Sequence, residues 1–232
     1  MNAKAMALAA ARVAGRAWAW LPERLRDAFM WALFVLESRA GPPAAGLRRL
    51  FKLKDRLDVA ISERAMAFEG GEHPKHRLTA YHDFFVARVP EGARVLDIGC
   101  GYGAVARSIA RACPSATVVG VDRDAPRLAQ ARAADNPPNL GFLEADAAVG
   151  LPAGRFDIVV LSNVLEHVQE RVGLQRAVVA TTGAKAVLIR VPLFERGWEM
   201  AMRREIGANY FSDPEHCIEH TVAEFESELR AA

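Results

Sequence analysis

Apolar runs alternate with helical segments from Arg94 onward. This alternation predicts a Rossmann-like α/β fold, in which a parallel sheet carries helices on both of its faces. We predict strands at 94–98, 117–121, 140–143, 156–161 and 185–191, and helices at 103–112, 125–134, 169–180 and 221–231.

The N-terminal third of the chain has a helical pattern instead. We predict a helix over residues 3–39 that breaks near Pro22, where a proline could start a second helix at its first turn. Two adjacent prolines within 41–46 predict a linker. Apolar residues at spacings of three and four then predict a helix over 47–67, and a further helix over 78–88 leads to the first strand.

Residues 95–103, which read Val-Leu-Asp-Ile-Gly-Cys-Gly-Tyr-Gly, are the most informative stretch of the chain. Glycines after a strand allow a positive φ and leave bare backbone for a ligand, and the helix that follows offers free N–H groups. This pattern alone fits a dinucleotide site or a tight turn without a ligand. The second predicted strand ends in Asp122, and an acid there can accept both hydroxyls of a ribose.

The spacing of the glycines differs from the dinucleotide fingerprint, because Gly99, Gly101 and Gly103 lie two apart. Together with 142–147 and 156–168, the stretch 97–103 resembles the class I S-adenosylmethionine-dependent methyltransferases over roughly residues 75–195. Members of that family usually end with two antiparallel strands. This chain ends at residues 224–232 in a predicted helix, so we expect a five-stranded sheet without those C-terminal strands.

The resemblance implies S-adenosylmethionine as the cofactor. It implies that the methionine part lies over the glycine turn, that Asp122 holds the ribose and that Asp146 accepts from the adenine amino group. A helix cap near Ala125 is the alternative role for Asp122, and a surface turn is the alternative for Asp146. The implied cofactor residues are Asp97, Gly99, Gly101, Asp122, Arg123, Asp146, Ala147 and Asn163.

Methyl transfer to a hydroxyl needs alignment and removal of a proton, and histidine suits the second task. His167 follows the fourth strand and is our candidate for the general base; its alternative role is to brace the loop. The predicted acceptor-binding residues are His76, Tyr81, His216 and His220. Some O-methyltransferases hold a divalent metal through acid and histidine residues near this loop, and His216 and His220, with Glu166 and His167, are the possible ligands here. We expect no metal, because the matching pattern would have a glutamate at the position of Asn163.

Charge is unevenly distributed along the chain. The 232 residues carry a net charge of +2, but residues 1–58 hold 11 Lys and Arg against 5 Asp and Glu, whereas residues 59–232 hold 19 against 23. The predicted catalytic part is therefore not a polycation that would favour nucleic acid. Three cysteines indicate a reducing compartment. The longest apolar block, residues 28–36, is shorter than the roughly 20 residues of a membrane span.

Aromatic and arginine residues interleave in the first 39 positions. Two interpretations stay open: a helical cap that packs on the main domain or on a second subunit, and an interfacial helix on an anionic membrane. We predict residues 1–72 to be a helical extension or cap and residues 73–232 to be the S-adenosylmethionine-binding domain.

The functional hypothesis is O-methylation of a saccharide or lipid-linked intermediate. The segment after the fifth strand is similar to that of methyltransferases of bacterial cell-surface polysaccharide and lipid biosynthesis. Methylation of a small metabolite such as a quinone precursor and a non-catalytic, methyltransferase-like binding module are the alternatives. We expect a cytoplasmic protein without a nucleic-acid partner; peripheral contact with the inner membrane face through residues 1–58 and a homodimer stay open.

Overall fold

The computed structural model describes residue 11 and residues 13–71 and 73–232. The helix predicted from residue 3 therefore lies partly outside the described residues. The chain divides into two compact units. One holds the described residues up to Phe68 together with Glu205–Ala208, and the other holds Glu69–Arg204 and Asn209–Ala232.

The first unit contains a helical hairpin. Helix α1 spans Glu23–Arg39 and directly follows Pro22, so the break predicted at that proline is present. Helix α2 spans Pro43–Phe68. The two helices approach closely at Gly46, because a Cβ built there would overlap the backbone carbonyl oxygen of Ser38.

The linker predicted at 41–46 is wrong from Pro43 onward. Helix α2 already begins at Pro43, and residues 44–46 are helical. Proline lacks only an N–H group that would be unpaired in the first turn, and its fixed φ suits a helix start. The second proline therefore begins a helix where we had expected it to prevent one.

The second unit opens with two short helices, α3 at Lys75–Thr79 and α4 at Asp83–Val86. The single helix predicted over 78–88 is wrong. Ala80 has a φ of +48°, in the left-handed region, and this conformation ends α3 before α4 begins.

Five parallel strands form the sheet, as the pattern of apolar runs predicted. They are β1 Arg94–Ile98, β2 Thr117–Asp122, β3 Leu140–Glu144, β4 Ile158–Ser162 and β5 Ala186–Arg190. Their spatial order is β3-β2-β1-β4-β5. The order reverses between β1 and β4, and ligands of open α/β sheets bind in the crevice that such a reversal opens at the carboxyl ends.

Helices α5 Ala104–Ala112, α6 Ala125–Ala133 and α7 Arg171–Thr182 pack on the sheet, and α5 and α7 contribute to different cores. Helix α8 spans Trp198–Glu205, and α9, at Val222–Ala231, packs on α7. Short 3-10 turns lie at Leu165–His167 and Phe194–Arg196. Neighbouring residues of β1 point into different cores: Val95 packs with Ile109 of α5, and Leu96 belongs to the cluster that contains Leu174 of α7. The described residues include no antiparallel strand beside β5.

None of the described helices has the length and apolar character needed to span a membrane.

Candidate functional site

The turn between β1 and α5 is built from glycines with positive φ. Gly99 has a φ of +68° and Gly101 a φ of +54°. A Cβ at Gly99 would come within 2.7 Å of the Val164 side chain in the loop after β4, whereas a Cβ at Gly101 would meet no atom within 4 Å. The backbone at Gly101 is therefore bare, and only its φ requires glycine.

Asp122, the last residue of β2, holds this turn. Its Oδ2 accepts a hydrogen bond from the Gly101 N–H at 2.7 Å, and its Oδ1 accepts one from the Asp124 N–H at 2.9 Å. The helix cap that we considered for Asp122 belongs to Asp124, whose carboxylate accepts from the Arg127 N–H. A carboxylate has about four lone-pair sites, so Asp122 keeps capacity for a ligand.

A crevice of about 460 Å³ opens at the carboxyl ends of β1, β2 and β4. This volume lies within the range of about 300–1,000 Å³ that is usual for small-molecule sites. The crevice brings together seven of the residues predicted for cofactor binding or catalysis: Gly99, Asp122, Arg123, Asp146, Ala147, Asn163 and His167.

Two predicted cofactor residues, Gly101 and Asp97, are not in the crevice lining. Asp97 is buried and accepts a hydrogen bond from the Ala106 backbone N–H in α5, and its Oδ2 has no hydrogen-bond partner among the described residues. Burial raises the pKa of Asp97 from 3.8 to about 7. The hydrogen bond from Ala106 lowers this pKa, and the nearby Asp122 carboxylate raises it further.

Asp146 and Asn163 lie at opposite sides of the strand-order reversal, after β3 and β4. The Asp146 Oδ1 accepts from the Ala148 N–H at 2.9 Å, so one oxygen stabilises a turn, as its alternative role required. Its Oδ2 makes no hydrogen bond within the described part of the chain. Asn163 has a φ of +58°, which is uncommon for a residue with a side chain.

Arg190 joins Asn163 to two predicted acceptor-binding residues. Its Nη1 donates to the Asn163 Oδ1 at 2.8 Å, and its guanidinium lies over the Tyr81 ring at 4.2 Å. The Tyr81 hydroxyl is 2.8 Å from the His76 Nδ1. Burial raises the pKa of Tyr81, although the Arg190 charge acts in the opposite direction. This places a cation and two polar rings in one cluster next to a crevice residue.

A third group, defined here as the Glu166–His167–His216 cluster, meets the crevice through His167 alone. The ligand atoms of these three side chains all lie within 4.8 Å of one another, and the His167 and His216 rings are 4.6 Å apart. Glu166 is only 1% exposed. Burial raises its pKa from 4.5 to about 7; a backbone hydrogen bond opposes the shift and the Glu219 carboxylate adds to it.

Glu219 contacts the His216 side chain of this cluster. Its Oε1 contacts the His216 Nδ1 at 3.0 Å and accepts from the Ser212 N–H at 2.6 Å, and its Oε2 accepts from Arg196 at 2.5 Å. Burial acts to raise the pKa of Glu219, but these hydrogen bonds outweigh it and hold the pKa below the usual value.

The prediction that His220 binds the acceptor needs correction. Its side chain has no exposed surface, and its Nε2 is 3.2 Å from the Glu228 Oε2. Arg171 of α7 donates to the same carboxylate at 2.8 Å, so Glu228 of α9 joins both His220 and α7. A side chain enclosed in this way cannot touch a ligand in this conformation.

Sequence reasoning did not assign roles to Arg190, Glu219 and Arg196. Arg190 ends β5 at the carboxyl edge of the sheet, and this position was a usable signal. Glu219 and Arg196 meet only through tertiary structure, 23 residues apart, so no local pattern reveals them.

Comparison with known proteins adds the following. A family described as "Methyltransferase domain" matches residues 95–181. The trans-aconitate 2-methyltransferase of Streptomyces avermitilis is 38% identical over 104 residues, which are 41% of this chain and 38% of that protein. The ubiquinone biosynthesis O-methyltransferase of Pectobacterium atrosepticum is 29% identical over 160 residues, 65% of this chain and 64% of that protein.

Among solved structures, the magnesium protoporphyrin IX methyltransferase of Synechocystis, determined with bound SAH, superposes with a TM-score of 0.51. It is 19% identical and the match covers 67% of this chain and 71% of that one. The chain spans 38% to 64% of the length of the two curated relatives named above. Residues 95–181 therefore match a methyltransferase domain, and the structural likeness shows that the chain shares the fold of that neighbour.

Proposed function

We propose that this chain is an S-adenosylmethionine-dependent methyltransferase, with its cofactor in the crevice at the carboxyl ends of β1, β2 and β4. The supporting observation is that six residues implied for cofactor binding, dispersed over 65 positions of the sequence, line one crevice of suitable volume. We propose residues 73–232 as the cofactor-binding domain.

The residues present fit this cofactor. Asp122 offers two carboxylate oxygens to a ribose diol, and the Asp146 Oδ2 can accept from an adenine amino group. The bare backbone at the glycine turn leaves room for the amino-acid part, and the backbone carbonyl of Asn163 would hold its ammonium group. When bound, the cofactor supplies a methyl group on a positively charged sulfur, which an acceptor nucleophile displaces in line.

The chain's own contribution is alignment and removal of a proton. We propose that His167, which lines the crevice, accepts the proton of an acceptor hydroxyl. No described residue hydrogen-bonds to its ring nitrogens, so both remain available for this task. Arg190, Tyr81 and His76 would contact the acceptor from the neighbouring cluster.

For the acceptor we propose an oxygen of a saccharide or lipid-linked intermediate, because the cluster around Arg190 offers hydrogen-bond donors and a cation. A second candidate is a quinone precursor, favoured by the similarity to the ubiquinone biosynthesis O-methyltransferase. Transfer of a labelled methyl group to glycans, lipid-linked sugars and hydroxylated quinone precursors would distinguish the two acceptor classes.

Calorimetry with S-adenosylhomocysteine tests the cofactor assignment. We expect micromolar binding to the wild type, a loss of at least about tenfold in Asp122→Asn, which keeps a single acceptor oxygen, and a larger loss in Asp122→Ala. Tenfold corresponds to about 1.4 kcal/mol.

Asp124→Ala is the matched control. Asp124 is two positions away, caps α6 and is absent from the crevice lining, so its loss should cost about 1 kcal/mol of stability and leave binding intact. Failure of the folded wild type to bind would reject the proposal and favour a non-catalytic module.

We further propose that residues 1–58, with their excess of six positive charges, contact an anionic membrane surface. A homodimer formed through the same segment is the competing interpretation.

A further inference from the structure

Glu166 is a buried acid whose carboxyl group has no partner in any other described residue. It is 1% exposed, and the one hydrogen bond that lowers its pKa comes from its own backbone. Burying a carboxyl group without a hydrogen bond or counter-charge is costly. Two histidines, His167 and His216, bring their ring nitrogens into the same small space, with all three ligand atoms within 4.8 Å of one another.

This arrangement suits a metal ion better than a hydrogen-bond network. Bonds from a transition metal to histidine nitrogen and glutamate oxygen are about 2.0–2.2 Å long, so two ligand atoms of one ion are at most about 4.4 Å apart. Side-chain shifts well below 1 Å would satisfy that limit. Two imidazoles and one carboxylate are a ligand set that zinc and similar divalent ions take, whereas Mg²⁺ and Ca²⁺ favour oxygen ligands.

A carboxylate contacts His216 in the way that carboxylates often contact metal-binding histidines. Its Nδ1 is engaged by the fully buried carboxylate of Glu219 at 3.0 Å, which leaves Nε2 for an ion. A carboxylate on the second nitrogen of a ligating histidine fixes the ring orientation and raises the basicity of the ligand. Arg196 and the Ser212 N–H fix Glu219 in turn.

We propose that Glu166, His167 and His216 bind a divalent first-row transition-metal ion, with Glu219 as the positioning residue for His216. We had expected no metal because Asn163 stands at the position of a glutamate. The Asn163 side-chain oxygen accepts a hydrogen bond from Arg190. The proposed site therefore has three ligands, and Asn163 is not one of them. Asp213 and Glu215, which form a second, exposed group with His167, add negative charge at the rim.

Three protein ligands leave coordination positions for water or an acceptor oxygen. His167 also lines the crevice, so the ion would stand at the crevice wall. The use of an acceptor oxygen as a ligand rests on the proposed methyltransferase function, whereas binding of the ion does not. If His167 binds the ion, its imidazole could no longer act as the general base. Another group or a water molecule beside the metal would then accept the proton of the acceptor hydroxyl.

The test is a titration of the metal-free full chain with Co²⁺, followed by its visible d–d absorption. We expect one equivalent to bind, with bands characteristic of nitrogen and oxygen ligands, and Zn²⁺ to displace it. Glu166→Gln and His216→Gln should each weaken Co²⁺ binding more than tenfold, and Glu219→Gln should weaken it about 10–100-fold.

Two matched controls lie outside the cluster. His73→Gln and Glu144→Gln make the same chemical changes at positions that contribute no ligand, and both should bind Co²⁺ like the wild type. Circular dichroism checks that each variant is folded. Wild-type chain that binds no Co²⁺, Zn²⁺ or Mn²⁺ at 100-fold molar excess would overturn the proposal whatever the variants do, and so would unchanged Co²⁺ binding in folded Glu166→Gln.

The two proposals fail separately. Calorimetry with S-adenosylhomocysteine in the presence of a chelator reports on the cofactor crevice alone. Cofactor binding without Co²⁺ binding rejects only the metal site, and Co²⁺ binding without cofactor binding rejects only the methyltransferase assignment.

Discussion

Two aspartates near the glycine turn have opposite environments. Asp122 accepts hydrogen bonds from two backbone N–H groups of the turn and lines the crevice, where we propose that it also accepts from the ligand. Asp97 is enclosed, and burial raises its pKa to about 7. A neutral carboxyl at Asp97 avoids placing a second negative charge beside Asp122.

Asp97 should make stability depend on pH. Its pKa is raised in the folded state, so between about pH 4 and pH 7 the folded chain keeps a proton that the unfolded chain has lost. The free energy of unfolding therefore falls as pH rises through this window. Asp97→Asn mimics the protonated acid, and we expect it to raise the free energy of unfolding at pH 8 by about 1–3 kcal/mol and to have little effect at pH 4.

Urea denaturation of both proteins from pH 4 to pH 8 measures this difference. Asp124→Asn, at an aspartate that caps α6, should not reproduce the pH-dependent gain. A difference between Asp97→Asn and the wild type that stays constant with pH would contradict the raised pKa.

At the scale of elements, the sequence predicted what local patterns determine. The five strands and the glycine turn follow from apolar runs and from residues that need positive φ. Pro43 was misread because proline is equally compatible with a helix start, and the left-handed Ala80 carries no sequence signal. His220 was misplaced because its burial depends on Glu228 and α9, which only the folded chain brings together.

The α1–α2 hairpin depends on the absence of a side chain at Gly46. Gly46→Ala would place a methyl group against the backbone carbonyl of Ser38, which cannot rotate away as a side chain could. We expect a loss of about 1–3 kcal/mol in the free energy of unfolding of the hairpin, by the usual cost of overpacking. The Arg49–Glu37 contact at 2.9 Å between the same two helices should weaken as they separate.

Gly15→Ala is the matched control for this substitution. Gly15 is also helical, but a Cβ there meets no atom within 4 Å, so alanine should be neutral or stabilising by up to about 1 kcal/mol. Thermal unfolding followed by circular dichroism compares the two. An equal free energy of unfolding for Gly46→Ala and the wild type would contradict the prediction, because it would mean that the added methyl group causes no strain between the two helices.

At the scale of the whole molecule, charge and exposed aromatic residues are concentrated in the same segment. Residues 1–58 carry a balance of +6 and residues 59–232 a balance of −4. Trp20 is 90% exposed and Trp31 is 69% exposed, and Phe29 of α1 is exposed as well. Tryptophan is enriched at membrane–water interfaces, and basic segments are attracted to anionic lipid, so both features favour the same partner.

Sedimentation with liposomes tests the proposed membrane contact. We expect the full chain to pellet with vesicles that contain anionic lipid, less with purely zwitterionic vesicles, and less as salt screens the attraction. Trp20→Ser with Trp31→Ser should reduce pelleting several-fold, because it removes apolar area from the interface.

Trp198→Ser, at a tryptophan of α8 that is 69% exposed, is the matched control and should pellet like the wild type. A full chain that does not pellet with anionic vesicles would reject the contact, and equal pelleting of all three proteins would reject a role for Trp20 and Trp31 in it. A mass of two chains in sedimentation velocity that falls to one in the double variant would assign these tryptophans to a subunit interface instead.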